Sequence, residues 1–374
     1  MRSLGNITGS VSMKRISLVM WPLLFCMACS SNEDIVSFHE VSSLNALVNK
    51  TESVKLIPLQ TDGEHLLGSP VLLNRMVDGF ILSDITNQNI FRYSSDGGFL
   101  NEIGNHGRGP GEYMNIKSVQ VIGTEVLVSS SNKCLRYSAS GECLGETVSQ
   151  DFGEQSIKTN DNFLTYWGYG SGRGYRMGLL DSSGSMVRKL LPSEEKVIHF
   201  SPNTPIFTWN GDEAFIADSY SPTILKYTEG GQLSSYLTID FGKYAIPASF
   251  FNQNDAFAAQ KELMSRDFAL VCSYWESDKL KMIDAIIQKR SGPEKYQAIQ
   301  DGSDWQWFSG GVLGKDPFAG SLKWVEGNVL YYLLDASILE RFPKELLPLV
   351  DNQEVLEQVS PTDNYVIAAV TLKD

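Results

Sequence analysis

The residues of this sequence best suited to recognition are aromatic and basic side chains set among glycines. Tyr166-Trp-Gly-Tyr-Gly-Ser-Gly-Arg-Gly-Tyr175 places Gly168, Gly170, Gly172 and Gly174 between Trp167, Tyr169, Arg173 and Tyr175. Glycine costs conformational entropy and brings no side chain to packing, so such a stretch makes a poor strand and its aromatics are expected at a surface. Aromatic faces beside arginine suit stacking on sugar rings or gripping a peptide. His106, Arg108, Tyr220 and Trp275 are expected on the same loop face. Arg108 and Arg173 would be local positive points able to hold a carboxylate or sulfate.

Signs of catalysis are sparse. Gly107 to Gly111 alternates glycines, but a dinucleotide fingerprint opens a helix, and here Pro110-Gly111 leads into another strand. The sequence has no G-x-S-x-G, H-E-x-x-H or Walker loop, and its 4 histidines have no metal-ligand spacing, so neither cofactor nor metal is expected. Asp84 and Asp218 read as turn caps. Lys+Arg number 31 against 44 Asp+Glu, for a formal charge of −13 without basic blocks, which argues against a nucleic-acid partner. Trp305-Gln-Trp307-Phe308 reads as an insertion before Gly310-Gly311, serving as plug, partner surface or packing.

The elements that must hold these residues repeat. Gly79–Asp84, Ile90–Tyr93 and Phe99–Ile103 read as strands around a loop and a glycine turn. The order returns at Val126–Ser129, Leu135–Tyr137 and Leu144, and Tyr93 to Tyr137 and Gly97 to Gly141 are both 44 residues apart. A third copy ends at Gly184. Asp84, Tyr93 and Gly97 map onto Asp218, Tyr227 and Gly231 at one shift of 134, close to three periods. Several strands per unit of this length predict a β-propeller. Asp267–Trp275 and Leu280–Ile287 read as strands of a fifth unit, although Asp284–Gln288 also has helical spacing. Leu322–Leu334 reads as a hairpin of a sixth. Asn252–Arg266 and Ser337–Val359 read as helical insertions, the second broken by Pro343 and Pro348. The last strand, Tyr365–Leu372, is expected to share a blade with the first, Lys55–Leu59, because a ring closes without open edges. By length, residues 54–374 hold about seven periods, and the insertions bring six within reach.

Ile103-Gly-Asn-His-Gly-Arg-Gly-Pro-Gly-Glu-Tyr113 resembles the blade connector of NHL-type propellers. With Lys55-Leu-Ile-Pro-Leu59, Lys323-Trp-Val-Glu-Gly-Asn328 and Asp363-Asn-Tyr365, the chain from about residue 40 resembles the six-bladed β-propeller lipoproteins of Bacteroidetes. That resemblance implies an all-β fold of six four-stranded antiparallel blades with small helical insertions and a lipid tether. NHL-type relatives include lyases with metal-binding histidines, whose spacing this sequence lacks.

The N-terminus supplies an address. Lys14 and Arg15 precede the apolar run Ile16–Phe25, which is too short to span a bilayer. Met13 reads as the true start. Cys26-Met-Ala-Cys29 resembles a lipobox, with Cys29 after small Ala28 as the lipid acceptor. Residues 1–28 would be the signal, 29–53 a lipidated tether and 54–374 the propeller. Ser30-Ser-Asn-Glu-Asp34 resembles a surface-export signal and equally suits a solvated tether. Cys134 and Cys143 flank one turn and form either a cross-strand disulfide or small core residues. Together these features predict a lipoprotein anchored in the outer membrane, facing the surface or the periplasm and touching the membrane only through its lipid. Its loop face would bind a glycan, peptide or envelope protein without catalysis. The alternative is a hydrolase or lyase acting at the central tunnel.

Overall fold

Short reversals set the architecture. After four strands the chain turns in two residues whose first has a left-handed backbone: Gly123 (φ +59°), Asn160 (+49°), Gly211 (+57°) and Gly327 (+55°). Such conformations match the twist of antiparallel pairs, so consecutive strands stay neighbours. The computed structural model describes residues 34–68, 71–193, 205–228, 230–253, 255–309 and 321–374. The expected signal segment and the lipid acceptor Cys29 lie outside the described residues, as do Gly310 and Gly311.

The chain begins with β1 (Asp34–Ser37), α1 (Asn45–Lys50) and β2 (Thr51–Pro58). Blade one is β3 (Val71–Met76), β4 (Gly79–Asp84), β5 (Asn89–Ser94) and β6 (Phe99–Glu102). Blade two is β7 (Ile116–Ile122), β8 (Glu125–Ser130), β9 (Lys133–Ser138) and β10 (Cys143–Val148). Blade three is β11 (Gln155–Thr159), β12 (Asn162–Tyr166), β13 (Tyr175–Leu180) and β14 (Met186–Pro192). Blade four is β15 (Phe207–Asn210), β16 (Glu213–Ile216), β17 (Thr223–Tyr227) and β18 (Leu233–Asp240). After α2 (Ala256–Ser265), blade five is β19 (Phe268–Glu276), β20 (Lys281–Lys289), β21 (Gly292–Asp301) and β22 (Asp304–Ser309). β23 (Ser321–Glu326), β24 (Val329–Leu334) and β25 (Val366–Leu372) make blade six, with β2 as its outermost strand. The fold is thus an all-β, six-bladed propeller with four-stranded antiparallel blades.

Burial explains why the second strands are continuous apolar runs. Every residue of β4 is buried, because its two faces pack against two neighbouring blades. Outer β10 alternates exposed and half-buried residues. The cores lie between blades: Met76, Ile81 and Ile90 of blade one meet Ile116, Val126 and Tyr137 of blade two. The repeat glycine has a double cause. Gly97 has φ +91°, and a Cβ there would lie 2.1 Å from the Pro58 carbonyl oxygen in the closing blade. Gly141 has φ +88° and would meet the Glu102 carbonyl oxygen of blade one at 2.3 Å. Each such turn is wedged against the preceding blade, so a side chain there would push two blades apart.

Closure follows the expected pairing. β2 runs antiparallel to β25, with Val54 opposite Val370 and Ile57 opposite Ile367. Two asparagines fasten the seam. Asn364 accepts from Leu67 N at 2.9 Å and donates to the Gln60 and His65 carbonyls, while Asn352 both accepts from and donates to the backbone of Leu56.

Several expectations change. Part of the segment read as a tether is structured: β1 adds a fifth, parallel strand to β18, and Leu47 of α1 is fully buried. Trp305–Phe308 is no insertion but most of β22, paired with β21. Phe308 is buried, and the Trp307 indole donates to the Ser37 carbonyl at 2.9 Å, so its role is packing. Asp284–Gln288 is strand. Cys134 and Cys143 are both free thiols, because the ladder sets Cys134 opposite Thr147 and Cys143 opposite Tyr137. Burial pushes the Cys134 thiol up to about 12. Residues 337–359 hold only short helical turns at Ala336–Arg341, Leu347–Leu349 and Val355–Gln358.

Candidate functional site

Antiparallel blades give the ring two unlike sides. The turns between second and third strands and the blade-to-blade connectors form one, here the connector side. The turns between first and second strands form the other, the hairpin side. The first strands line the tunnel between them.

The glycine-rich loop Trp167–Gly174 joins β12 to β13 on the connector side and is folded upon itself. The Arg173 guanidinium lies over the Trp167 ring at 4.8 Å and pairs with Asp151 at 2.8 Å. Tyr175 packs edge-on to Trp167. Arg176 covers the Tyr169 ring at 4.3 Å and reaches Asp218 at 2.5 Å. Asp218 is 3% exposed; burial pushes its carboxyl up, and Arg176 pulls it back. Burial also pushes the Tyr166 hydroxyl up, and the Asp218 charge adds to that. The left-handed glycines, at φ +67° to +79°, let the chain fold back over these rings. The indole nitrogen of Trp167 is buried without a hydrogen-bond partner.

Among the predicted residues, Trp167, Tyr169, Arg173, Tyr175 and Tyr220 do come together, but not all at a surface. Tyr169 and Tyr220 pack edge-on to each other and against Phe251 and Phe250 of the insertion that carries α2. That insertion buries them with Leu263, Phe268 and Leu270, so they are core rather than exposed contacts. His106 and Arg108 are exposed on the connector from blade one to two, where Arg108 approaches the Met114 sulfur at 3.2 Å. The glycines beside them answer to structure: a Cβ on Gly107 would strike the Glu112 carboxylate, and a Cβ on Gly104 would strike the Tyr137 ring. Asp84 caps its turn, accepting from Gly68, Thr86 and Asn87. Trp275 belongs elsewhere. The chain from Asp267 enters blade five as its first strand, so Trp275 sits near the end of β19 toward the hairpin side, not on the connector side. The connector-side turn of that blade is Arg290–Ser291.

Trp275 instead joins a tunnel cluster that sequence reading missed. Trp324 of β23 packs edge-on to Trp275 at 5.5 Å and to Trp209 of β15 at 5.3 Å, so three first strands meet through their tryptophans. Trp209 separates two spaces. Within the tunnel a cavity of 40 Å³ is lined by these tryptophans with Asn74, Lys117 and Lys323. On the hairpin side Trp209 walls a cavity of 370 Å³ with Gln120, Thr159, Asn160, Asp212 and Glu213. A second cavity of 600 Å³ shares Thr159, Asn160 and Asp212 and continues outward to Asp161, Asn162 and Tyr227. The Thr159 hydroxyl is buried with no hydrogen-bond partner. Glu213 is committed to Lys226 at 2.7 Å. A signal was present: Trp209 and Trp324 stand two and three residues before the hairpin glycines Gly211 and Gly327. Among the described residues no three His, Cys, Asp or Glu side chains are grouped to hold a metal ion, and no helix is long and apolar enough to cross a membrane.

Residues 40–371 match the family model described as domain of unknown function DUF4934, and the chain belongs to that family. A "putative exported protein" of Bacteroides fragilis has a similar structure, with TM-score 0.71 and 19% identity over 91% of this chain and 100% of its own. A DUF4221 family member from Bacteroides vulgatus is similar at TM-score 0.54 and 10% identity, over 87% of this chain and 99% of its own. These likenesses show the propeller fold. No curated protein matches the sequence.

Proposed function

We propose that the protein is an exported cell-envelope lipoprotein whose propeller binds an extended glycan without catalysing its breakdown. The groove that begins at Trp209 and runs outward between blades three and four carries this reading. Its two cavities, 370 and 600 Å³, share Thr159, Asn160 and Asp212, and their sizes are those of ordinary ligand sites. An aromatic wall beside hydroxyl, amide and carboxylate groups offers a sugar both a ring face and hydrogen-bond partners. A peptide or envelope protein would find the same groups, but the polar outer cavity favours a ligand rich in hydroxyls. The tunnel cavity has no Asp, Glu or His among its described lining residues, which favours binding over the hydrolase or lyase alternative there.

The address rests on the sequence. Ala28-Cys29 follows an apolar run, and the tether after it is polar. The Bacteroides fragilis neighbour bears the name of an exported protein, in line with this reading. Replacing Cys29→Ala should leave the protein unacylated and shift it from the membrane to the soluble fraction. Acylation that persists in that variant would move the acceptor to Cys26.

The groove is tested by titrating the purified chain against immobilised neutral and acidic oligosaccharides. Trp209→Ala and Asp212→Ala should each weaken binding about tenfold or more, the cost of losing one stacking or hydrogen-bonded contact. Binding that survives both changes but disappears with Trp167→Ala and Arg173→Ala would return the site to the connector side.

A further inference from the structure

We propose that the tunnel beside Lys323 is a binding site for a small carboxylate-type monoanion. The ladder between β23 and β24 shifts register between Leu322 and Trp324, so Lys323 is a bulge residue. Bulges re-aim side chains, and Lys323 lines the 40 Å³ tunnel cavity. Lys117, which lines the same cavity, also sits at a bulge, between Ile116 and Ser118 of β7. Lys117 is held by Glu154 at 2.6 Å. Among the described residues, Lys323 has neither an ion-pair nor a hydrogen-bond partner; its charged neighbours are Asp284 and Lys295.

Those neighbours do not neutralise it. Asp284 and Lys295 form a buried pair at 3.2 Å, with side chains 4% and 2% exposed. One carboxylate beside two ammonium groups leaves a positive excess, and no carboxylate appears among the cavity-lining residues of a chain with 44 Asp+Glu. Burial, with Lys295 adding to it, pushes the Lys323 amine down to about 8, so the group is still mostly charged at neutral pH. A half-buried ammonium without an ion-pair partner of its own loses part of its hydration, and an anion of matching size relieves that cost. The cavity accepts a group of a few heavy atoms, such as formate or the carboxylate end of a larger molecule. Trp209 lines both this cavity and the groove, so either a free anion or the acid group of a groove-bound sugar meets the same amine. The site does not depend on the groove's being a glycan site.

The test is thermal unfolding of the full chain in rising sodium formate or sodium trigalacturonate. Ionic strength is held constant with the sodium salt of HEPES, a bulky sulfonate that carries no carboxylate. A rise in melting temperature of about 2 °C is expected at tenfold excess over the dissociation constant, growing with the logarithm of concentration beyond it. Lys323→Met and Lys323→Gln should both fold, since each removes a desolvated charge and keeps most of the stem, and both should abolish the rise. A Lys323-dependent rise with formate identifies a free-anion site. One seen with trigalacturonate alone identifies a subsite for a ligand's carboxylate. If neither anion raises the melting temperature, or if the rise persists in both variants, the proposal is overturned.

Discussion

The two sides of the ring use the same residue types to opposite ends. On the connector side, Arg173 and Arg176 each lie over an aromatic ring and each pair with an aspartate, Asp151 and Asp218. In and below the tunnel, three tryptophans line one cavity with Lys323, which has no ion-pair partner among the described residues. A cation already stacked and paired must give up those contacts to hold a ligand, so little is gained by exchange. An unpaired cation in a confined cavity has everything to gain. What separates a structural aromatic–basic cluster from a candidate site is therefore the state of its charges, not its composition.

The sharpest way to break this comparison is to remove one aspartate from each side. Asp218→Ala removes the carboxylate paired with Arg176, whose side chain is 17% exposed. Loss of one member of a buried pair costs about 3–5 kcal/mol, so the variant should melt well below the parent. Asp212→Ala removes a groove carboxylate on a two-residue turn, and surface changes of that kind stay within about 0.5 kcal/mol. Chemical denaturation of the two variants reads both values. Equal losses would erase the distinction between a structural side and a binding side.

The same logic explains which parts of the molecule the sequence displayed. The repeat was legible because its marks are forced one by one. Gly97 and Gly141 need both a positive φ and an absent Cβ, Tyr93 and Tyr137 fill the space between blades, and Asp84 satisfies three backbone donors. Each constraint involves one blade and at most its neighbour, so it recurs at a fixed period. Closure was legible because an apolar strand stands at each end of the propeller, β2 and β25. The candidate site was not. Tyr169 and Tyr220 read as exposed because their loops are rich in glycine, yet the insertion carrying α2, remote in sequence, folds over them. Trp209, Trp275 and Trp324 come from three blades; the first and last precede hairpin glycines at unequal distances, and no hairpin glycine follows Trp275. Lys323 became distinct only through a bulge and through the pairing of Asp284 with Lys295, neither of which leaves a pattern along the chain.

A smaller effect tests the tunnel half of the comparison alone. The Lys323 amine is lowered to about 8 in the folded protein, by burial first and Lys295 second, against an unfolded value of about 10.4. Below the folded value both states carry the proton, and the folded state bears the full cost of a desolvated charge. Between about 8 and 10 the folded protein sheds the proton while the unfolded chain keeps it, so this group's contribution to stability rises with pH. Buried thiols work the other way: Cys134 is raised to about 12, so the unfolded chain ionises first and stability falls as pH rises above about 8.5. Wild-type stability alone therefore mixes opposing slopes. The difference between wild type and Lys323→Met cancels the thiols and isolates the amine. Measured by denaturant unfolding from pH 7 to pH 9.5, the variant should be the more stable at pH 7, and its advantage should shrink steadily as pH rises. Saturating formate should also shrink it at pH 7, because the anion supplies the charge that the fold withholds. An advantage that stays constant across this range would mean that the Lys323 amine is solvated as freely in the folded protein as in the unfolded chain, and the contrast between the two sides of the ring would lose its physical basis.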